Sequence, residues 1–432
     1  MKILLGNPPT GGFPEVPPYG LLCLGAYLAK RGYEITLIDL PGLDQWCKSL
    51  DNLKPNAVGL TTLTCTARKT YSYAQEAKKR GIYTLLGGAH VTALPEEAIK
   101  YCDAVVRGEG EITTAELLKN PRSGIFEGEL VKDLNTLPLP AYELADMNFY
   151  PIVRRYIYNS ILSYVLPEDR VGVYMTSRGC PYRCTYCHNS KEKRPLRFID
   201  PLHIVDHLEE IIGKYKLDSI LFLDDEFLIH KTRVKKLCEE INNRNLKFYW
   251  SANARVTDVD PDILEVIMSA GCVQLAFGFE SGNNRILEVL KKQATVEDAH
   301  NAIEICQKAG IIVQGNFMFG NPTEIEKEMI DTLRFAETHL IDGGIGAAKT
   351  TPLPGTTLWD WCEENKKIPP LESINWDDFH YGVRSINMSN MDSGRFDGFM
   401  RVVGERLSKF IKKAEPIRVQ KVMDWKKANL GG

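Results

Sequence analysis

Three cysteines fall within eight residues, Cys180, Cys184 and Cys187, in the stretch Ser177-Arg-Gly-Cys-Pro-Tyr-Arg-Cys-Thr-Tyr-Cys-His188. Thiolates packed this closely are soft metal ligands, and the stretch reads as a metal-binding loop. Two chemistries compete for it. A structural zinc site closes with four ligands and needs His188 as the fourth. His188 adjoins Cys187 and is badly placed to converge on the same ion, and the chain has no second Cys-x-x-Cys pair. A cubane of four irons and four sulfides takes one ligand per iron, so three cysteines leave one iron open to a substrate or cofactor. An open iron makes the cluster catalytic rather than an electron relay.

The elements that must carry this loop come in two series. From residue 1 to about 120, short apolar runs (Lys2 to Leu5, Glu34 to Leu40, Ala57 to Leu63, Tyr83 to Leu86, Asp103 to Val106) alternate with amphipathic stretches such as Leu43 to Leu53 and Ala67 to Arg80. Five strands alternating with helices predict a doubly wound parallel sheet of Rossmann-like type, which binds ligands at the carboxyl ends of its strands. Those ends carry Gly6-Asn7-Pro8-Pro9, Thr61-Thr62, Gly87-Gly88-Ala89-His90 and Gly108-Glu109-Gly110-Glu111. Small residues there suit a ligand lying flat against the backbone. Gly108-x-Gly110 lacks the third glycine of a dinucleotide fingerprint and follows the wrong strand.

After Leu137-Pro-Leu-Pro140 an aromatic, partly basic segment with Arg154, Arg155, Tyr156, Tyr158 and Tyr164 reads as a connection. Alternation then resumes with Val171 to Thr176, Ser219 to Leu223, Lys247 to Ala252, Val273 to Phe279, Ile312 to Phe319 and Gly346 to Thr350. Six strand-helix repeats predict a partial parallel (β/α)6 barrel with its chemistry at the carboxyl ends, and the cysteine loop directly follows its first strand. The expected division is 1–135, a connecting segment 136–168, the barrel 169–368 and an extension 369–432. The extension holds an aromatic patch (Trp376, Phe379, His380, Tyr381) and a helix over Gly394 to Lys413, a small C-terminal helical element.

Composition narrows the partners. With 53 Lys and Arg against 56 Asp and Glu, the formal charge of -3 leaves no footprint for nucleic acid. The longest apolar stretches, such as Leu21 to Ala29, fall far short of the roughly 20 residues that span a bilayer, so no transmembrane segment is expected. Met1-Lys-Ile-Leu-Leu5 runs into Gly6-Asn-Pro-Pro9 and does not read as a signal peptide. The chain holds 11 cysteines, an odd number at irregular spacing, which points to a reducing, cytoplasmic compartment rather than a disulfide framework. Cys23, Cys65, Cys102, Cys238, Cys272, Cys306 and Cys362 read as small buried hydrophobes.

The cysteine spacing, with the aromatic Tyr186 before the last cysteine, resembles the signature of the radical S-adenosylmethionine superfamily, in which the open iron chelates the amino and carboxylate groups of S-adenosylmethionine. Phe222-Leu-Asp-Asp-Glu-Phe227, Trp250-Ser-Ala-Asn-Ala-Arg255, Gly278-Phe-Glu-Ser-Gly282, Gly315-Asn-Phe-Met-Phe-Gly320 and Thr351-Pro-Leu-Pro-Gly355 resemble that superfamily's successive strand-end motifs. Pro18-Tyr19-Gly20, Gly87-Gly88-Ala89-His90 and Arg107-Gly-Glu-Gly-Glu111 are similar to an amino-terminal cobalamin-binding module. Together they cover about residues 1 to 360 in the order of the cobalamin-dependent radical class, which includes carbon and phosphorus methylases and the anaerobic magnesium-protoporphyrin cyclase.

The resemblance implies a [4Fe-4S] cluster on Cys180, Cys184 and Cys187. It implies S-adenosylmethionine held by Tyr186, Asp225, Glu226, Arg255, Glu280, Ser281, Gly315 and Pro352. It implies cobalamin held by Asn7, Pro8, Pro9, Tyr19, Gly20, Thr61, Thr62, Thr64, Gly87, Gly88, His90, Gly108 and Glu109. Among Asp224, Asp225 and Glu226, strand alternation lets one or two point inward. Arg255 offers the bidentate geometry of a carboxylate clamp. The chain departs from the cobalamin motif Asp-x-His-x-x-Gly, having only Asp39-Leu-Pro-Gly42, so His90 is the one histidine before the loop available to cobalt.

The implied activity is a methyl transfer. A 5′-deoxyadenosyl radical from S-adenosylmethionine takes a hydrogen atom from an unactivated carbon, or attack falls on a phosphinate phosphorus, and methylcobalamin supplies the methyl group. An external one-electron donor of flavodoxin or ferredoxin type reduces the cluster. The substrate is a small molecule or biosynthetic intermediate, its pocket expected from Tyr150 to Tyr164 and Trp376 to Arg384. Two other readings stand: a non-methylating member of the class (oxidative cyclase or ring rearrangement), and a metal-stabilised binding or sensor protein.

Overall fold

The computed structural model describes residues 1–10, 16–147, 163–166, 168–191, 194–339, 342–379 and 386–431. Of the residues expected to line a substrate pocket, 150–162 and 380–384 lie outside them, Arg154, Arg155, Tyr156, Tyr158, His380 and Tyr381 included. Tyr164 is described and buried, its hydroxyl donating to the Ile220 carbonyl. Contacts divide the chain into two compact units, Met1–Met147 with Thr351–Arg384, and Asn148–Thr350 with Ser385–Gly432. The segment read as one extension from 369 is thus shared between the units, and Thr351–Arg384, which includes the last 18 residues assigned to the barrel, groups with the first.

The first unit is built on β1 (Lys2–Asn7), β2 (Glu34–Asp39), β3 (Ala57–Thr61), β4 (Tyr83–Gly87), β5 (Ala104–Arg107) and β6 (Gly124–Glu127). All pair in parallel in the order β2-β1-β3-β4-β5-β6, so the chain reverses direction across the sheet between β1 and β3. The apolar runs make these strands because both faces are covered, as Leu5, Val58, Ala104 and Val105 show at 0% exposed. Of the six, β6 went unforeseen: four residues with alternating exposure, begun by a glycine, carry too little pattern. One face of the sheet packs on a core with Trp46, Val58, Tyr71, Trp359 and Trp376, the last two supplied by the returning segment.

The second unit is built on β7 (Val171–Tyr174), β10 (Ser219–Phe222), β11 (Tyr249–Ala254), β12 (Cys272–Glu280), β13 (Ile312–Phe319) and β14 (Ile345–Lys349), paired in parallel in sequence order as a half-barrel. Two short strands, β8 (Ser177–Arg178) and β9 (Arg197–Phe198), pair antiparallel and bracket the cysteine loop. The helices between the strands follow the apolar periodicity closely, as Lys231–Asn243 and Val296–Ala309 do. The last helix does not: it runs over Ser393–Lys426, past the expected end at Lys413 and through Pro416. Ile411, Ala414, Arg418 and Val422 are buried on both sides of the proline. Burial of that face offsets the hydrogen bond the proline removes. No described helix is long and apolar enough to cross a membrane.

Candidate active site

In the second unit the carboxyl ends of β7, β10, β11 and β12 meet around the cysteine loop. Cys184 is buried, while Cys180 and Cys187 are partly exposed. Burial pushes the Cys180 thiol up to about 11, with Asp225, Cys187 and Glu226 adding to the rise and a backbone bond to Tyr182 opposing it. Cys187 is raised by burial too, and feels both the Asp225 carboxylate and the Cys184 thiol. Cys180 and Cys187 therefore share one electrostatic neighbourhood with Asp225, and Cys187 lies close to Cys184 as well.

Among the described residues no three His, Cys, Asp or Glu side chains close tightly enough to share one metal ion. A zinc ion draws its ligands to about 2.0–2.3 Å of one point, whereas each thiolate of a cubane binds its own iron. His188 Nε2 lies 3.1 Å from Arg194 Nη2, which donates to it. The donor set fits a three-cysteine cluster.

The acidic run separates by role. Asp224, with no exposed surface, accepts from the Thr176 N–H at 3.0 Å, the Thr176 hydroxyl at 2.6 Å and the Ser177 hydroxyl, which makes it a tie between strand ends. Asp225 is exposed beside the thiols and accepts from Asn189 Nδ2 at 3.1 Å. Glu226 is buried and accepts from the Arg255 N–H at 3.1 Å. Burial and the neighbouring Asp258 push Glu226 up to about 8.

Arg255 has a different task from the expected clamp. Its Nη2 donates to the carbonyls of Lys292 and Gln293, the second at 3.1 Å, and its guanidinium lies 3.6 Å from the centre of the Tyr182 ring. It holds the loop against the turn after residue 290, a turn that also accepts from Thr185 N through the Leu290 carbonyl at 2.9 Å. Its Nε is buried without a hydrogen-bond partner among the described residues.

Tyr186 and Glu280 are brought together directly, hydroxyl to carboxylate at 2.8 Å, and Lys292 Nζ reaches the same carboxylate at 3.2 Å. Glu280 adopts φ 65°, left-handed and uncommon for a residue with a Cβ. Its side chain folds back over Gly278, where a Cβ would lie 2.2 Å from Glu280 Oε1. Lys292 went unforeseen: a lysine ending an amphipathic stretch reads as solvated, and the one signal is that a buried Glu280 needs a cation. Ser281 is bonded to Thr332 at 3.0 Å and packs the strand end on its helix. Gly315 lies inside β13, paired with Ile345, and not at its carboxyl end. Pro352 is buried in the first unit.

A second unforeseen knot joins the ends of β13 and β14. Glu324, wholly buried, accepts from the Gly320 N–H at 2.8 Å and the Asn321 N–H at 2.9 Å, and Asn321 accepts from the Thr350 hydroxyl at 2.8 Å.

In the first unit the expected residues lie at or just after the carboxyl ends of β1, β3, β4 and β5, apart from Tyr19 and Gly20, which open the helix Tyr19–Ala29. Asn7 Nδ2 donates to Asp39 at 2.7 Å, and Lys69 donates to the Pro9 carbonyl at 3.0 Å, so both ends of the turn after β1 are tied down. Pro8 is buried and Thr61 and Thr64 are partly exposed. Thr62 is buried, and Gly88 beside it sits at φ 103°, where a Cβ would lie 2.7 Å from the Thr62 backbone. Gly87 ends β4, and Gly20 and Gly108 have open space where a Cβ would stand. Glu109 accepts from the Val131 N–H at 3.1 Å and braces its own loop. The His90 side chain has no exposed surface, lies edge-on to Trp376 at 4.9 Å, and places Nε2 3.9 Å from Glu97, which went unforeseen. Both ring nitrogens are buried and have no hydrogen-bond partner among the described residues.

Comparison with known proteins gives the family. The radical SAM superfamily matches residues 174–336 and the B12 binding domain residues 13–118. An uncharacterized methyltransferase of Pyrococcus horikoshii is 30% identical over 413 residues, 87% of this chain and 85% of the relative. The anaerobic magnesium-protoporphyrin IX monomethyl ester cyclase of Rubrivivax gelatinosus is 27% identical over 392 residues, 83% of this chain and 69% of that protein. The radical S-adenosylmethionine methyltransferase TsrM of Kitasatospora setae, solved with cobalamin and a [4Fe-4S] cluster, superposes with a TM-score of 0.67 at 19% identity over 85% of this chain and 75% of its own. The two matched modules and the full-length relative assign this chain to the cobalamin-dependent radical S-adenosylmethionine enzymes, whose cofactors are a [4Fe-4S] cluster, S-adenosylmethionine and cobalamin.

Proposed function

We propose that the chain is a methyltransferase that acts on an unactivated carbon, or a phosphinate phosphorus, of an organic small molecule. The observation that carries the reading is the grouping of three loop thiols with Asp225 and with the Tyr186–Glu280–Lys292 contact at the half-barrel's strand ends. When bound, the cofactors supply reductive cleavage, hydrogen abstraction and a transferable methyl group. Cys180, Cys184 and Cys187 bind three irons. Asp225, exposed beside them, accepts from a ligand ammonium. Glu280 and Lys292 offer a carboxylate and a cation of fixed direction to the polar groups of the nucleoside sulfonium. Glu226, Arg255 and Ser281 hold the surrounding backbone. The first unit binds cobalamin through the small residues at its strand ends, with His90 as packing beneath them. An external one-electron carrier of flavodoxin or ferredoxin type reduces the cluster.

The test is anaerobic reconstitution. About four irons and four sulfides per chain, bound cobalamin, 5′-deoxyadenosine and a methylated product are expected. Cys184→Ala that still forms 5′-deoxyadenosine would sink the reading. Formation of 5′-deoxyadenosine with an unmethylated product would transfer the chain to the ring-forming members of the class.

A further inference from the structure

β8 and β9 pair as Ser177 with Phe198 and Arg178 with Arg197, and so close the cysteine loop at its base. One side chain touches both sides of that closure. Arg233, in the first turn of the helix Lys231–Asn243, donates from Nη1 to the Thr176 hydroxyl at 2.9 Å, where the chain enters the loop. Its guanidinium also lies 4.8 Å from the centre of the Phe198 ring, where the chain leaves it. The Thr176 hydroxyl passes the contact on, donating to Asp224 Oδ1 at 2.6 Å while accepting from Arg233. Asp224 also accepts from Thr176 N and the Ser177 hydroxyl, and its carbonyl accepts from Asn253 Nδ2 at 3.1 Å.

Arg233 is 6% exposed, Thr176 and Asp224 not at all. The guanidinium keeps Nε and Nη2 buried without a hydrogen-bond partner among the described residues. That is an expensive arrangement, since a well-packed apolar side chain of similar volume is often as stable as a buried ion pair or more so. Arg233 offsets the burial of the Asp224 carboxylate, and it does so from a position that touches both ends of the loop.

We propose that Arg233 is a positioning residue for the cysteine loop, acting through Thr176 on the entering strand and through Phe198 on the leaving strand to fix how the three thiols face the cluster. The inference rests on the reading that this loop carries the cluster. It places the source of loop order behind the strand ends, on a residue that touches no cofactor.

The test uses Arg233→Met, which keeps the bulk of the stem, with Thr176→Val and Thr176→Ser, which remove and keep the hydroxyl. In cluster-loaded protein, Arg233→Met and Thr176→Val are expected to retain iron but to lose the change that S-adenosylmethionine causes in the electron paramagnetic resonance spectrum of the reduced wild-type cluster. Thr176→Ser is expected to keep it. In cluster-free protein, trypsin is expected to cut within 178–197 at least about threefold faster in Arg233→Met and Thr176→Val. Wild-type spectra and wild-type cleavage in both variants would overturn the proposal. If Arg233→Met does not fold, the Thr176 pair decides by the same readouts. A wild-type chain that takes up no cluster defeats the functional reading instead, and the cleavage comparison still decides this one.

Discussion

The Tyr186 hydroxyl donates to Glu280 Oε1 at 2.8 Å, so the residue before the last loop cysteine is tethered to the carboxyl end of β12. Lys292 Nζ lies 3.2 Å from the same oxygen, and the carboxylate serves both. Tyr186→Phe removes a hydrogen bond to a charged acceptor, worth about 1.5–3 kcal/mol. S-adenosylmethionine binding to the cluster-loaded variant is expected to weaken roughly tenfold, read by equilibrium dialysis. Lys292→Met is expected to lose more, because it leaves Glu280 buried and unpaired.

Gly278→Ala tests the same corner without touching a polar group. The new Cβ would fall 2.2 Å from Glu280 Oε1 and 2.9 Å from Lys292 Nζ, so the carboxylate must swing away. The variant is expected to resemble a Glu280 substitution in ligand binding and to lose about 1–3 kcal/mol in stability. Thermal unfolding that matches the wild type would show that the corner accommodates a methyl group.

Glu324 gives the molecule a pH dependence that can be isolated. Burial pushes it from 4.5 up to about 7, against the N–H donors of Asn321 and Gly320. Below about 4.5 the carboxyl is protonated folded and unfolded and contributes no slope. Between about 4.5 and about 7 the unfolded chain ionises first, and stability falls as pH rises; above about 7 the cost is constant. Glu324→Gln is expected to abolish this slope, gaining up to roughly 3 kcal/mol on the wild type between pH 5 and pH 7.5. Denaturant midpoints at the two pH values check it, and parallel shifts in both proteins would contradict it.

His188→Ala separates the two metals. Its Nε2 faces Arg194 at 3.1 Å, so iron uptake on reconstitution is expected to be unchanged. Loss of metal binding in that variant would revive a four-ligand zinc site.

Trp376→Phe addresses the first unit. The indole Nε1 donates to Glu97 Oε1 at 3.0 Å in a buried setting that also holds His90. Phe takes the indole N–H away from the Glu97 carboxylate, a cost of about 1–3 kcal/mol. Lower unfolding midpoints with an unchanged cluster spectrum are the expected pair of results.

What was legible from the residues follows from how local each signal is. The helix Leu43–Leu53 and β13 stand where the apolar period puts them, and three cysteines in one loop need no third dimension to be recognised. The role of a long polar side chain is less local. Asp224, Asp225 and Glu226 are adjacent in sequence, yet one ties strands, one stands beside the thiols and one is capped by Arg255, a division set by partners up to 48 residues away. Arg255 looked like a carboxylate clamp because its competitors, two backbone carbonyls across a turn, leave no trace in composition. Lys292 and Arg233 were passed over for the converse reason: cations on amphipathic segments usually face water.

The return of Thr351–Arg384 has a consequence for dissection of the protein. Trp359 and Trp376 belong to the same core as Trp46 and Tyr71, so a polypeptide cut after Met147 would expose that core rather than release a domain. Any exchange of the amino-terminal module with a relative must therefore carry two inserts, one from each side of the half-barrel, and a single-crossover chimaera is expected to aggregate.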